Sequence, residues 1–206
     1  TGYHTTSHAI RWAGTAASAV DLNPVGYGAS EALATSGTQQ GGWGYLALPI
    51  PTQHAMLWSG TAASAVDLHP AGYTDSKVTA LTATLQVGEG WVGAPGAIGS
   101  VRHALAWSGT ADSVVDLNQY IPAGYAHGVA TGVDASGNVV GYAYSGAHPW
   151  GYSIPAGAIA VVFAPGAPAP TQLASITLSP ANVAPGDIVQ GQVWLGGPAP
   201  VGGINI

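Results

Sequence analysis

Apolar and polar positions alternate along this chain in short bursts, with no long helical stripe. The alternation is clearest in Lys77-Val78-Thr79-Ala80-Leu81-Thr82, which has the two-residue period of a half-buried strand. Gly (31 residues) and Pro (15) punctuate the bursts, so many short strands joined by turns are expected and long helices are not. The longest apolar run, roughly residues 156–164, falls far short of the ~20 residues a membrane-spanning helix requires.

The bursts repeat. HAIRWAGTAASAVDLNPVGY begins at His8, HAMLWSGTAASAVDLHPAGY at His54 and HALAWSGTADSVVDLNQYIPAGY at His103. The spacings are 46 and 49 residues, and they hold in register for Trp12, Trp58 and Trp107 and for Asp21, Asp67 and Asp116. A period near 45 with β composition points to a four-stranded blade or a comparable sheet module. Within each unit HAxxW reads as a first strand, a Gly-Thr-Ala turn leads to a second strand ending in VDL, and a Pro/Gly turn follows. Third strands are expected over 31–36, 77–87 and 127–133, and fourth strands over 43–48, 91–94 and 139–144.

The modules then run 8–53, 54–102 and 103–147 within a repeat region of 1–163. Residues 1–7 read as a displaced fourth strand, because Gly2-Tyr3 precedes His8 as Gly141-Tyr142 precedes His148. Closed propellers usually have four to eight blades. Three modules therefore suggest a piece of a longer array, an open stack, or a subunit completed by copies of itself.

The HAxxW…G…VDL phrase resembles the bacterial HAF repeats, described as extracellular repeats with a propeller-like fold, and the resemblance covers about Thr1 to Tyr152. It implies an extracellular or cell-surface location and no catalytic residues. Ile10, Met56 and Leu105 stand where that family usually has an aromatic. Beyond Phe163 the text changes: residues 164–171 read as a stiff Pro-rich linker. Residues 172–206, with strand-like pieces at 172–179, 187–195 and 204–206, resemble the opening strands of bacterial immunoglobulin-like modules. A sandwich of that kind needs about seven strands over ~100 residues, so the segment is expected to be incomplete and to pack elsewhere or add to a neighbour's sheet.

Charge narrows the partners. Only 6% of residues are charged, Arg11, Lys77 and Arg102 are the three strong cations, and the net charge is −6; scattered cations cannot make a phosphate-binding footprint, so nucleic acid is excluded as a partner. A hydrophobic content of 47% with seven Trp argues against disorder. Without Cys there is neither a disulfide framework nor a thiolate metal site. The chain opens at Thr1 without Met or an apolar leader, as a processed or excised segment would. Sheet proteins commonly use charge to keep edge strands from pairing with neighbours. With so little charge here, edges must be covered or must be meant to pair.

The recurring His, Ser and Asp invite a catalytic or metal reading. A zinc site needs three or four ligands converging about 2 Å from one point, whereas His8, His54 and His103 occupy equivalent places in separate modules. A nucleophile sits at one strained turn beside an oxyanion hole, not in every copy of a repeat. His8–Asp21, His54–Asp67 and His103–Asp116 are instead expected to be buried structural hydrogen-bonded pairs beside Trp12, Trp58 and Trp107, with no catalytic, cofactor or metal role. Trp43, Trp91 and Trp150 lie near module edges; packing between modules is the expectation, and stacking on a sugar the alternative. The sequence thus reads as an all-β, propeller-like array of three four-stranded modules plus an incomplete immunoglobulin-like segment. The functional expectation is a non-enzymatic, secreted bacterial structural or adhesive protein forming a homo-oligomer or filament, with a lectin-like, glycan-binding module as the alternative.

Overall fold

The computed structural model describes residues 7–46, 52–94, 97, 99–146, 157–163, 173–179 and 190–195, the last two segments as backbone alone. Residues 1–6, His148, Trp150, the 164–171 linker and the 204–206 strand lie outside the described residues. Among those described the protein is all-β, its only helices being 3-10 turns of three or four residues. A leading hairpin pairs β1 (Ile10–Arg11) with β2 (Val20–Asp21). The first sheet runs in chain order through β3 (Ala29–Ser36), β4 (Gln39–Leu46), β5 (Thr52–Trp58) and β6 (Val66–Asp67). The second repeats this with β7 (Asp75–Leu81), β8 (Gln86–Val92), β9 (Val101–Trp107) and β10 (Val115–Asp116). The third holds β11 (His127–Val133), β12 (Val139–Tyr144) and β13 (Ile159–Phe163). A separate pair joins β14 (Leu173–Ser179) to β15 (Gln190–Leu195), and every pairing is antiparallel.

The hydrogen-bonded sheets are out of phase with the repeated phrase. HAxxW and VDL form a short hairpin, and its first strand pairs with the Gly-rich strand that precedes it, so each sheet takes its first two strands from one repeat and the others from the next. Two sheets have four strands, whereas the third has three among the described residues.

Two strand expectations need correction. The alternating run at 77–87 does not continue as one strand: β7 ends at Leu81 and β8 begins at Gln86. Thr82 closes the turn between them, its N–H donating to Leu85 O at 2.8 Å while its hydroxyl accepts from Leu85 N at 3.1 Å. No Gly or Pro marks that turn, which is why composition did not reveal it. The strands expected at 43–48 and 91–94 start earlier, at Gln39 and Gln86. The structure also adds β13, whose Ile159, Val161 and Phe163 take the places of His54, Met56 and Trp58 against the neighbouring strand. It is a fourth copy of HAxxW with both marker residues replaced.

Sheets pack on one another in series, β7 across β3, β4 and β5, and β11 across β7, β8 and β9. There is accordingly one apolar slab per junction. Ala9 and Leu22 meet Met56 and Trp58 at the first. Ala55, Leu57 and Leu68 meet Val78, Leu81, Leu105 and Trp107 at the second. Val87, Ala104, Ala106 and Leu117 meet Ala130, Val139 and Phe163 at the third. Strand alternation explains the arrangement: in β5, Met56 and Trp58 face backward while Ala55 and Leu57 face forward.

Each sheet carries a bulge at the same place, with register shifts at Ala32/Ala34, Val78/Ala80 and Ala130/Gly132. Opposite stand Gly42, Gly88 and Gly141, where a Cβ would lie 1.9 Å from the carbonyl oxygen of Glu31, Lys77 or Val129. Glycine is obligatory there for a steric reason, and the bulge twists the strand for stacking. Gly109 in the hairpin turn is required differently, by φ +88° with nothing within 4 Å of a Cβ. Gly88→Ala is therefore expected to cost about 3 kcal/mol or more by breaking the bulge, and Gly109→Ala only about 1 kcal/mol of backbone strain, a ranking that urea denaturation of the two variants would check.

Candidate functional site

The residues singled out by repetition assemble into a node at the rim of each hairpin. Asp lies opposite the residue two beyond His, as in Met56↔Asp67 and Leu105↔Asp116, so both side chains share a face. In all three copies His Nδ1 donates to Asp Oδ2 at 2.7 Å: His8 to Asp21, His54 to Asp67 and His103 to Asp116. Oδ1 of each Asp accepts the backbone N–H two residues on, at 2.8 Å from Asn23 and His69 and 2.9 Å from Asn118. The pairs sit at the rim and are partly exposed, not buried beside Trp.

Two nodes receive a third partner from the preceding repeat. The Tyr27 hydroxyl donates to Asp67 Oδ2 at 2.9 Å and the Tyr73 hydroxyl to Asp116 Oδ2 at 3.3 Å. Their rings stand edge-on to His54 and His103, with centroids 6.4 and 5.8 Å apart. They approach so closely because the strand beneath has glycine: a Cβ on Gly44 would lie 2.6 Å from Tyr27 and one on Gly90 2.7 Å from Tyr73. In the third sheet Ala143 replaces that glycine and Ile159 the histidine.

The electrostatics follow from these contacts. Burial pushes Asp67 and Asp116 up, but their His partners, a backbone N–H and a tyrosine hydroxyl outweigh it and hold both carboxyls below the usual range. Asp21, without a tyrosine, is lowered by the Asn23 N–H and by His8. Burial and the facing carboxylate raise Tyr27, and push Tyr73 up to about 12.

Beneath the node, Asn23 donates to Tyr27 O and accepts from the Ser30 hydroxyl, which in turn receives Ala9 N–H. His69 fills the same place in the next copy, contacting Ser76 Oγ at 2.8 Å and Tyr73 O at 3.1 Å. In the third, Gly128 replaces the serine, and Asn118 Oδ1 takes Ala104 N–H directly at 2.9 Å. His69 stacks on His54 with centroids 4.0 Å apart. Burial, then the neighbouring His54, lower its pKa.

Ser18, Ser64 and Ser113 are held away from this chemistry. Each hydroxyl donates to the carbonyl three residues earlier at 2.6 Å (Thr15, Thr61, Thr110) and accepts the backbone N–H of Ala13, Ser59 or Ser108 from the loop before its 3-10 turn. The serines are turn locks, and no Ser-His-Asp relay forms. No group of three or more His, Cys, Asp or Glu converges for a metal among the described residues, and none of their helices is long and apolar enough to cross a membrane.

The tryptophans divide. Trp58 and Trp107 are fully buried in the sheet junctions, whereas Trp12 is 61% exposed. Trp43 Nε1 donates to Glu31 Oε2 at 3.1 Å. Trp91 lines a polar cleft of about 260 Å³ with Gln53, Asp75, Ser76, Lys77, Glu89 and Arg102. Glu89 is buried there between two cations, Lys77 Nζ at 3.1 Å and the Arg102 guanidinium, which also stands 5.6 Å over the Trp91 ring. The sequence reading missed this cluster. Its signal was a departure from the repeat, since Glu89 aligns with Trp43 and Tyr142, Lys77 with Glu31 and Val129, and Arg102 with Gln53 and Ala158. The role of Tyr27 and Tyr73, which close the first two repeated phrases, was missed too.

Removing the shared acceptor should hurt more than removing one donor. Asp67→Ala is expected to destabilise by about 2 kcal/mol, and His54→Ala and Tyr27→Phe by about 1 kcal/mol each, with the Tyr27→Phe and Asp67→Ala losses less than additive in a thermal double-mutant cycle. A second expectation concerns pH. Because the folded state lowers the His69 pKa, the unfolded chain binds that proton more readily, so stability falls as pH drops through about 6.5. The lowered Asp67 and Asp116 add a further loss only below about 4. His69→Asn, the residue found at 23 and 118, should flatten the upper decline in melting temperature and leave the lower one.

Set beside known proteins, the chain matches no family model, no curated protein and no solved structure.

Proposed function

We propose that this chain is a non-enzymatic, secreted bacterial structural or adhesive repeat protein whose stacked sheets act as consecutive blades of a propeller-like array and whose two end faces join copies head to tail into a filament. The observation that carries the reading is the exposure of Trp12. Its counterparts Trp58 and Trp107 are fully buried, each seated on the unit before it, while Trp12 is 61% exposed. The opposite end is open in the complementary sense. Val162 is 61% exposed, yet the equivalent Leu57 and Ala106, covered by the next sheet, are 4% and 6% exposed.

A leading face of this kind is built to sit on a trailing face of this kind, and a second copy of the chain presents one. The contact is heterologous, so where the rotation fails to close it extends without limit. The saturated carboxylates of the nodes and the serine hydroxyls locked in the hairpin turns suit scaffolding and offer no nucleophile. The likeness of the HAxxW…VDL phrase to extracellular repeats supports the location, and in this reading β14 and β15 are the opening strands of an immunoglobulin-like module.

Sedimentation across a concentration series tests the assembly. The chain should form a ladder of oligomers, and Trp12→Lys or Val162→Lys, both at exposed positions that folding does not need, should each leave monomers. An equimolar mixture of the two variants should stop at dimers, since only one intact joint can form per pair. A wild-type chain that stays monomeric throughout, or a mixture that stays monomeric while the wild type assembles, refutes head-to-tail stacking.

A further inference from the structure

We infer that the cleft between Gln53, Asp75, Lys77, Glu89, Trp91 and Arg102 is a binding site for a neutral, hydroxyl-rich ring, a single saccharide residue of a surface glycan. The fold does not need this cluster. The other sheets have Trp43 and Tyr142 at the Glu89 position, Glu31 and Val129 at the Lys77 position, and Gln53 and Ala158 at the Arg102 position. A carboxylate taken out of water costs several kcal/mol that its partners repay only in good geometry, so a sheet that could be built without Glu89 carries it for another reason. Two of the chain's three strong cations are gathered around it.

The chemistry of the lining selects the ligand. Two cations and two carboxyl groups leave the cleft with little net charge, so it does not select an ion of either sign. Asp75, accepting Gln53 N–H at 2.6 Å and pushed up by burial, and Glu89 offer acceptors, while Lys77, Arg102 and the Gln53 amide offer donors, and a sugar's adjacent hydroxyls are each both. Trp91, steadied by the Arg102 guanidinium, supplies an aromatic surface for the apolar C–H side of a ring. At about 260 Å³ the cleft lies just below the ~300–1,000 Å³ of drug-sized pockets, which fits one sugar ring with the rest of the glycan in solvent.

The site does not depend on head-to-tail assembly and is tested apart from it, on the monomeric Trp12→Lys variant. An array of neutral and acidic oligosaccharides, followed by calorimetric titration of the best binder, should show binding to at least one neutral glycan. Trp91→Ala should weaken it at least tenfold and Gln53→Ala measurably, while Trp91→Tyr, the residue at positions 45 and 144, should keep the melting temperature and retain weaker binding. Absence of binding to every array member, binding unchanged in both Trp91→Ala and Gln53→Ala, or a preference for sialylated or uronic glycans over neutral ones would each overturn the inference.

Discussion

Where the connector from each hairpin enters the following sheet is decided by a tyrosine ring lying on a strand glycine. Tyr27 over Gly44 and Tyr73 over Gly90 occupy space that any side chain would take, 2.6 and 2.7 Å from a hypothetical Cβ. That contact brings each tyrosine hydroxyl to the aspartate of the next hairpin, and the aspartate in turn orients a histidine and closes a turn through a backbone N–H. Apolar burial of Trp58 and Trp107 drives stacking but has no direction of its own. The glycine and the shared carboxylate fix the path of the connector that leads into each sheet. In the third sheet Ala143 takes the place of the glycine and Ile159 that of the histidine.

A fold assembled from junctions of one kind has a one-dimensional character, each sheet touching mainly its neighbours. The first and last described repeats then present faces built from the same residue positions as the interior interfaces. Trp12 and Val162 are members of the same two faces that are buried between the sheets, which is why their exposure is informative where that of an isolated surface Val is not. With so little charge in the chain, almost nothing on these faces opposes pairing.

Much of this was legible in the sequence because repetition separates rule from accident. The His–Asp pairs, the hairpin turn and the all-β class follow from three in-register phrases. Three features were not legible, each for a physical reason. The sheet phase is set by hydrogen bonding between a Gly-rich strand and the phrase that follows it, a long-range pairing that local pattern does not encode. Strand β13 kept the alternation of HAxxW but exchanged His for Ile159 and Trp for Phe163, so it conserved shape and lost its letters. Glu89, Lys77 and Arg102 are scattered over three strands, and only the register of β7, β8 and β9 brings them together.

Head-to-tail assembly and sugar binding would bear on one another through geometry. A shallow cleft that takes one sugar ring binds weakly by itself, because few groups touch the ligand and its remainder stays hydrated. Head-to-tail stacking would repeat that cleft at a fixed interval along the assembly, and a glycan-covered surface presents its sugars repeatedly too. Binding at one cleft then raises the effective concentration at the next, so avidity can exceed single-site affinity by ~10²–10⁴ without a new contact. Were copies to stack head to tail, the variation confined to the second sheet would leave the stacking faces untouched, and repetition would make one weak site per chain sufficient for adhesion.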